Sequence, residues 1–320
     1  MSVHAENLTV YYRTLHGDVK ALDGATFQIA DGEIMGLAGE SGCGKTTLGM
    51  SLIRLSERMK YITGVVELDG KALPIWDTEE MNAFRFKKIS IIPQYAMSAM
   101  NPTRKIGKQT AELVESRKVN FKQTLPELKR RLELVGLSDE VLTMYPIELS
   151  GGMKQRMVMV LSTLLDPSLL IADEISSALD VSSQKAVSEL LVEFRDREFV
   201  KSMIVITHDI SILYQIADSI LVMYAGKLAE KASTKAIIHA PRHPYTRMLI
   251  SSLPKVGVRC FETRLSGIPG RPPALLDPPV GCRFRERCPV AFEKCLEEPP
   301  FVEIEPGHSV ACWKEVETHA

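Results

Sequence analysis

The first thirty residues alternate between apolar and polar side chains. Residues 3–12 place every second side chain on one apolar face, and residues 25–29 repeat the pattern after a turn at Leu22–Gly24. A period of two is typical of a strand that is buried on one side. The sequence therefore predicts two antiparallel strands near the N-terminus.

Farther along, short apolar runs alternate with helical patterns. The runs are typical of buried strands and lie at residues 33–38, 65–68, 88–92, 168–172, 203–207 and 220–224. The helical patterns lie at residues 46–56, 106–115, 125–135, 153–165 and 182–197. Asp69-Gly70 and Ala225-Gly226 mark tight turns, and the second predicts a hairpin over residues 220–230. Strands that alternate with helices predict an α/β fold.

One stretch has a different character. Residues 95–145 show helical patterns with polar faces, interrupted by Pro and Gly. Residues 149–156 close this stretch, so the sequence predicts an inserted α-helical subdomain at about residues 95–158.

Composition and charge exclude several classes of protein. The 320 residues are enough for two domains of roughly 100–200 residues each, and 45% hydrophobic with 25% charged residues is ordinary for a globular chain. A net charge of −1 gives no support for a protein that binds nucleic acid through bulk charge. No secretory signal is visible, and no apolar run reaches the roughly 18 residues of a membrane span. We expect an intracellular protein that meets a membrane only through a partner.

Residues 39–46 form a glycine-rich motif. They read Gly-Glu-Ser-Gly-Cys-Gly-Lys-Thr and lie between a predicted strand and a predicted helix. This is the setting of a phosphate-binding loop, in which glycines let backbone N–H groups curl around phosphate oxygens. Lys45 would reach the β- and γ-phosphates, and the Thr46 hydroxyl would bind Mg²⁺. The alternative is a glycine-rich turn that merely precedes a helix.

Polar residues end several of the buried strands. Asp173 could hold Mg²⁺, and Glu174 could orient or deprotonate an attacking water. His208 ends the next run, where a sensor of the γ-phosphate belongs. Gln94 follows another run, at the end of the strand where α/β sheets place ligand contacts. Each could also be an ordinary solvated residue.

Residues 149–156 read Leu-Ser-Gly-Gly-Met-Lys-Gln-Arg. Ser150 is a favourable N-cap, and Gly151 and Gly152 leave the backbone N–H groups of a helix N-terminus bare. Such an end attracts anions. In isolation the motif could be a solvent-exposed turn or helix start.

Together and in this order, the motifs resemble the nucleotide-binding subunit of an ABC transporter over roughly residues 3–240. The resemblance implies a P-loop NTPase fold with a RecA-like core sheet, an N-terminal antiparallel β subdomain and the inserted helical subdomain. It places the ATPase domain at residues 1–240 and a small Cys-rich extension at residues 241–320. It also implies ATP and Mg²⁺ as ligands, with ATP hydrolysis coupled to solute translocation.

The resemblance assigns a role to each motif residue. Glu174, His208 and Gln94 are the implied catalytic residues, and Thr46, Gln94 and Asp173 the implied Mg²⁺ contacts. The implied nucleotide-binding residues are Tyr12, Gly39, Ser41, Gly42, Cys43, Gly44, Lys45, Thr46, Thr47, Gln94, Asp173, Ser150, Gly151, Gly152 and Asp180. Gln94 also links to the membrane partner, and Asp180 lies at the dimer seam.

Four details qualify these roles. Tyr12 is preferred to Tyr11 for stacking on adenine because it continues the apolar face of its strand. Ser150–Gly152 is implied to meet the γ-phosphate that the other subunit holds. The family usually has Pro after the catalytic Glu, whereas Ile175-Ser176-Ser177 follows here, which puts the local geometry of the loop Ser177–Asp180 in doubt. Cys43 could make the site sensitive to oxidation.

The tail narrows the resemblance. Pro241–Thr246 and residues 267–313 resemble the C-terminal extension of oligopeptide and dipeptide importers. Such subunits usually pair with a related second ATPase, although a homodimer is possible. They lie at the cytoplasmic face of the membrane, beneath two transmembrane permeases. These permeases receive the solute from an extracytoplasmic solute-binding protein. Oligosaccharides or nickel are alternative solutes, and no nucleic acid is implied.

Two other kinds of ABC protein are alternatives. Soluble members that act on DNA carry long coiled coils, for which the spacing from Lys45 to Asp173 has no room, and members that act on ribosomes carry two cassettes in one chain. Exporters lack an oligopeptide-type tail.

Four of the six cysteines cluster near the C-terminus. Cys282, Cys288, Cys295 and Cys312 are separated by five, six and sixteen residues, and none form the close pairs that structural zinc sites favour. Four thiolates suit a [4Fe–4S] cluster, and Arg283, Arg285 and Arg287 could favour thiolates and offset its charge. Related importer subunits with this tail can hold such a cluster. Zinc and free buried thiols are the alternatives.

Overall fold

The computed structural model describes residues 2–95, 98–175, 180–253 and 267–319. In chain order the strands are β1 (Val3–Thr14), β2 (Gly17–Ile29), β3 (Ile34–Ala38), β4 (Met59–Leu68), β5 (Lys71–Ala72), β6 (Ile89–Ile92), β7 (Leu169–Asp173), β8 (Ser202–Ile206), β9 (Ser219–Tyr224), β10 (Lys227–Ser233), β11 (Val302–Glu305) and β12 (His308–Val310). The helices are α1 (Lys45–Ile53), α2 (Thr78–Met81), α3 (Ile106–Ser116), α4 (Phe121–Leu134), α5 (Gly151–Thr163), α6 (Val181–Asp196), α7 (Ile210–Ile216), α8 (Thr234–His239), α9 (Pro244–Ser251) and α10 (Trp313–His319).

These elements divide between two compact units. The first unit contains residues 29–34 and 67–207 with the first residues of the chain, and the second contains residues 4–28, 35–66 and everything from His208 onward. Among the described residues, none of the helices is both long enough and apolar enough to cross a bilayer.

The first unit is built on three parallel strands. β7 lies between β6 and β8, with Ile171 opposite Ile91 on one side and Ile204 on the other. All five residues of β7 are buried, which explains why its sequence is apolar without alternation. Its last residue, Asp173, therefore lies at the carboxyl end of a buried strand.

The helical part of the first unit consists of α3, α4, two 3-10 turns and α5. A buried arginine on α4 stabilises it: Arg131 is paired with Glu127 and Asp166, donates to the carbonyl of Thr163, and lies over the ring of Phe199. Arg131 thus fixes α4 against the segment that enters β7.

The second unit contains two sheets. In one, β1 lies between β2 and β4. In the other, the strand order is β11-β12-β10-β9-β3, and β3 runs parallel to β9 whereas the other neighbours are antiparallel. β3 leads directly through residues 39–44 into α1. The C-terminal extension is thus continuous with the sheet that carries the glycine-rich loop.

A buried carboxylate attaches the extension to that sheet. Glu230 of β10 is fully buried, lies 2.7 Å from His308 Nε2, and accepts from the N–H groups of Arg242 and His243. Burial opposes its ionisation, but these hydrogen bonds outweigh the burial and lower the pKa of Glu230.

The main predicted elements are confirmed. Both N-terminal strands, the hairpin over residues 220–230 and the helices predicted between residues 95 and 158 are present. The predicted turn at Leu22–Gly24 is wrong: β2 continues from Gly17 to Ile29 with Gly24 at φ 72° inside it, and the chain turns instead at Leu15 and His16. The helix after the glycine-rich loop ends three residues earlier than predicted, because Arg54 adopts the left-handed conformation with φ 46°. The domain boundary at residue 240 stays a prediction.

Candidate nucleotide-binding site

The glycine-rich loop has a backbone that requires glycine. Gly39, Gly42 and Gly44 have φ of 145°, 77° and 109°. A Cβ on Gly44 would lie 2.2 Å from the carbonyl oxygen of Ala21, and one on Gly39 would lie 2.3 Å from that of Met223. These approaches are too close for any side chain, so Gly39 and Gly44 are needed for both conformation and space, whereas Gly42 is needed for conformation alone.

Lys45 lies inside this loop. Its side chain is buried, and Nζ donates to the carbonyl oxygens of Gly39 at 2.8 Å and Glu40 at 3.0 Å. The charged group is thus poised at the loop centre, where a phosphate would replace these carbonyls as its partner. Burial raises the pKa of Cys43, which favours the less reactive thiol and argues against the oxidation sensitivity expected from the sequence.

The two adjacent tyrosines of β1 differ in their partners. The hydroxyl of Tyr11 donates to Asp23 Oδ1 at 2.9 Å. Burial, followed by this hydrogen bond, raises the pKa of Tyr11 to about 12. Since Tyr11 is held by Asp23, the structure is consistent with Tyr12 as the stacking residue, which stays a prediction.

The first unit brings Gln94 and Glu174 together. Gln94 Nε2 donates to Glu174 Oε2 at 2.7 Å, although 80 residues separate them in the chain. Glu174 adopts φ 47°, and its N–H donates to the carbonyl of Ile206 on β8. This conformation turns the chain immediately after the buried Asp173, so the two carboxylates have different surroundings.

Ser150 caps α5 as predicted. Its hydroxyl accepts from the N–H of Met153 at 3.3 Å, and Gly151 and Gly152 are exposed. Gln155, one turn later and buried, donates to the carbonyl of Ile175. The glycine end of α5 is therefore held to the segment that follows Glu174 in the same unit.

The remaining predicted residues are placed as follows. Asp180 accepts from the N–H of Ser183 at 3.0 Å and so caps α6. Ser177, and with it the departure from the family pattern at Ser176 and Ser177, lies outside the described residues. His208 is exposed just before α7 in the second unit.

The four C-terminal cysteines line one small pocket in the second unit. Cys282, Cys288, Cys295 and Cys312 share it with Phe284, Phe292 and Trp313. Burial is the main cause that raises the pKa of Cys282 to about 11 and those of Cys288 and Cys312 above their usual value. Even so, the described residues contain no set of three or more His, Cys, Asp or Glu side chains arranged to hold a metal ion.

The arginines between these cysteines have a different role from the one expected. Arg283 pairs with Asp23, and Arg287 pairs with Glu40 of the glycine-rich loop at 2.7 Å. Only Arg285 remains with the extension, where it donates to the carbonyl of Val280. Two of the three arginine charges thus pair with the carboxylates of Asp23 and Glu40 rather than with cysteine thiolates.

Sequence reasoning missed Asp23, Glu40 and Tyr245. Tyr245 is fully buried, and its hydroxyl accepts from the N–H of Glu40 at 2.8 Å. The spacing of Arg283 and Arg287 was the available signal, but nothing local indicates carboxylate partners more than 240 residues away.

Two family descriptions match the chain. Residues 22–177 match that of the ABC transporter, and residues 229–295 match that of the oligopeptide/dipeptide transporter C-terminal region.

Curated relatives are similar over nearly their whole length. An oligopeptide transport ATP-binding protein of Escherichia coli is 38% identical over 98% of this chain and 94% of its own. A dipeptide transport ATP-binding protein of Bacillus subtilis is 39% identical over 96% of this chain and 93% of its own. A probable peptide ABC transporter ATP-binding protein of Sinorhizobium fredii is 39% identical over 92% and 89%.

Solved structures agree in fold. A dimeric bacterial ABC transporter cassette superposes with a TM-score of 0.63 at 22% identity, covering 72% of this chain and 98% of its own. An ATP-binding cassette in a post-hydrolysis state with ADP and phosphate gives 0.62, with the same identity and coverage. The predicted α/β P-loop fold is thereby confirmed.

Proposed function

This chain belongs to the ABC transporter family, and from that membership we propose that it is the ATP-hydrolysing subunit of a peptide importer. The family resemblance inferred from the motifs is confirmed by both matching family descriptions. The observation that carries the ATPase assignment is the loop of residues 39–44, with three glycines at positive φ and Lys45 buried at its centre.

The nucleotide chemistry is assigned to named groups. In the second unit, the loop N–H groups and Lys45 would bind the phosphates and Thr46 would bind Mg²⁺. In the first unit, Asp173 and Gln94 are the residues that the family resemblance assigns to Mg²⁺. Glu174 acts on the attacking water, held in place by the hydrogen bond from Gln94. His208 senses the γ-phosphate. Support comes from the position of Lys45 and Thr46 in the first turn of α1, directly after the glycine-rich loop, and of Gln94, Asp173, Glu174 and His208 at or just after strand ends.

We further propose that the active unit is a pair of cassettes beneath two permeases. The N-terminus of α5 at Ser150–Gly152 is exposed, and a Cβ on Gly152 would meet no atom of the described residues within 4 Å. Backbone N–H groups exposed in this way suit the phosphate of a nucleotide held by a second cassette. Asp180 lies at that seam. The partner ATPase is a related chain or a second copy, and the assembly lies at the cytoplasmic face of the membrane.

The transported solute is proposed to be a di- or oligopeptide. The match of residues 229–295 to the oligopeptide/dipeptide transporter C-terminal region supports this class. Oligosaccharides and nickel are the alternative solutes, supplied in each case by an extracytoplasmic binding protein.

Co-expression with the two permeases and the second ATPase tests the importer assignment. We expect the chain to co-purify with both permeases and to support uptake of a labelled oligopeptide into vesicles only with Mg²⁺-ATP and the binding protein. Uptake that continues without this chain, or ATPase activity that never couples to permeases, would contradict the proposal.

For the cysteines we propose a structural [4Fe–4S] cluster. All four line one pocket, and backbone N–H groups near Phe284, Val290 and Lys314 point at Cys282, Cys288 and Cys312. A pocket lined by four cysteines suits a cluster that takes four thiolate ligands, one on each iron, and zinc is the alternative occupant.

Iron content tests the cluster. Protein purified without oxygen should be brown and hold about four irons per chain. Cys288→Ser should lose most of this iron, because its thiolate is a proposed ligand. Cys43→Ser, which changes a buried cysteine of the glycine-rich loop, is the matched control and should keep it. A colourless protein with stoichiometric zinc would exclude the cluster.

A further inference from the structure

The C-terminal extension contacts the phosphate-binding loop through an arginine fork. Arg287 Nη1 and Nη2 donate to the two carboxylate oxygens of Glu40 at 2.7 and 3.0 Å. The Arg287 side chain is only 5% exposed and that of Glu40 is 25% exposed. A two-point contact in so sheltered a position is stronger and more directional than a surface ion pair.

Other contacts hold this fork rigid. Arg287 Nε donates to the carbonyl of Pro269 at 2.8 Å, and Nη1 donates to the hydroxyl of Tyr224 at 3.1 Å. The guanidinium also lies near the rings of Tyr224 and Phe284. The hydrogen bond to Glu40 is the main cause that raises the pKa of Arg287, so its charge is constant at any working pH.

Tyr245 of α9 adds a contact to the backbone of the same loop residue. Its hydroxyl accepts from the N–H of Glu40 at 2.8 Å, and its ring packs 4.6 Å from that of Tyr224 and 5.3 Å from that of Phe284. The carbonyl of Glu40 meanwhile accepts from Lys45 Nζ. Glu40 is therefore held at side chain and N–H by the extension, and at its carbonyl by the phosphate-binding lysine.

A second arginine on the same segment, Arg283, contacts Asp23, which in turn binds the neighbour of the proposed adenine-stacking residue Tyr12. Arg283 donates to Asp23 Oδ2 and to the carbonyl of Ala225. Asp23 also accepts from the hydroxyl of Tyr11, the neighbour of Tyr12 in β1. Burial opposes ionisation of Asp23, but Lys227 and Arg283 outweigh the burial and lower its pKa.

We propose that Arg287 and Arg283, four residues apart between Cys282 and Cys288, are positioning residues for ATP: Arg287 fixes the phosphate-binding loop through Glu40, and Arg283 fixes the strand that carries Tyr12 through Asp23. This inference rests on the proposed ATP binding at residues 39–46. Neither arginine touches the nucleotide.

The effect follows from the cost of ordering a loop. A phosphate-binding loop that is already fixed loses less conformational freedom when ATP binds, so its affinity is higher. Removing the Arg287 fork leaves Glu40 with only its backbone contacts. The loop would then sample more conformations before binding.

A double-mutant cycle on Arg287 and Glu40 tests the first contact. Arg287→Gln should weaken binding of a fluorescent ATP analogue with Mg²⁺ about tenfold, as expected for a lost charged hydrogen bond. Glu40→Gln should act in the same direction. The double variant should be no weaker than Arg287→Gln, because both changes remove the same contact. Arg287→Lys, which keeps the charge and loses the fork, should recover only part of the affinity.

Arg285→Gln is the matched control. It removes the same charge from the same short turn, but Arg285 contacts only the extension, so affinity should stay within about twofold. Iron content and melting temperature, measured for every variant, separate loss of the extension from loss of positioning. Hydrogen exchange in residues 39–46 should accelerate in Arg287→Gln and not in Arg285→Gln.

The outcomes are distinct. If Arg287→Gln and Arg285→Gln bind the analogue equally, or if Arg287→Gln lowers only the melting temperature, the positioning role is wrong. If the unaltered chain binds no ATP analogue, the proposed nucleotide site itself fails.

Discussion

Glu174→Gln is expected to lower ATP turnover by on the order of 100- to 10,000-fold, the range for loss of a general base, while ATP binding is retained. Glutamine has the same size and can still contact Gln94, but it cannot accept a proton from the attacking water. The measurement is steady-state ATP hydrolysis by the assembled transporter. A companion titration with a fluorescent ATP analogue checks that binding persists.

The geometry favours Glu174 over its neighbour Asp173 for the proposed role. Asp173 ends β7 in the buried core, whereas Glu174 leaves the strand at φ 47° and meets the Gln94 amide at 2.7 Å. The amide donor thereby orients one of the two carboxylate oxygens of Glu174.

Two controls make the result specific. If the partner ATPase is a different chain, its equivalent catalytic glutamate is changed to glutamine in every sample. The partner's site is then inactive, and the measured turnover comes only from the site that contains Glu174. Glu198→Gln alters an exposed glutamate that also has positive φ, and it should leave turnover unchanged. Turnover by Glu174→Gln equal to that of Glu198→Gln would show that another group activates the water.

Local chemistry made most of the fold predictable. The hairpin turns at Asp69-Gly70 and Ala225-Gly226 place both residues of each turn at positive φ, a geometry that Asp-Gly favours and that Gly226 readily adopts at the second position. The caps at Ser150 and Asp180 likewise act within three or four residues. Each of these features depends on neighbours in the sequence, which a period or a motif can report.

The extension could not be predicted in the same way. Its strand β12 pairs with β10, placing Val310 opposite Glu230 across 80 residues of chain, and both strands are short. The buried Glu230–His308 contact that accompanies this pairing has no local signature either. Long-range partners of short strands are set by packing, which a single sequence does not display.

The nucleotide site shows the same division. The residues proposed to bind phosphate follow from a motif, because the backbone shape of a loop of eight residues is encoded locally by Gly39, Gly42 and Gly44. The residues that fix this loop, Arg287 and Tyr245, come from distant parts of the chain. Their charges and hydroxyls were visible in the sequence, but their partners were not.

Gly152→Asp is expected to remove ATP turnover at the partner's site while leaving this chain's own ATP binding intact. Gly152 is exposed in the first turn of α5, and a Cβ added there would meet nothing within 4 Å in the part of the chain that the structure describes. An acidic residue at a helix N-terminus is locally favourable by about 0.3–1 kcal/mol, so the folded chain should lose no stability. In the assembly the same carboxylate would face the γ-phosphate held by the partner.

The size of the loss follows from two combined effects. A lost anion-stabilising donor costs on the order of 100- to 1,000-fold in turnover, and a negative charge set beside phosphate adds repulsion. The assay uses this chain with Glu174→Gln, so that the remaining turnover comes from the partner's site, and then adds Gly152→Asp.

Gly152→Asn separates the effect of charge from that of bulk, because asparagine is as large as aspartate but carries no charge. Turnover at the partner's site should therefore fall less in Gly152→Asn than in Gly152→Asp. A melting temperature at or above that of the unaltered chain excludes misfolding as the cause. Full turnover by Gly152→Asp in this background would mean that the N-terminus of α5 faces no phosphate. The proposal that α5 completes the nucleotide site of a second cassette would then be wrong. Lost ATP binding by the isolated Gly152→Asp chain would instead place α5 at this chain's own nucleotide, since residues 39–46 are untouched by the change.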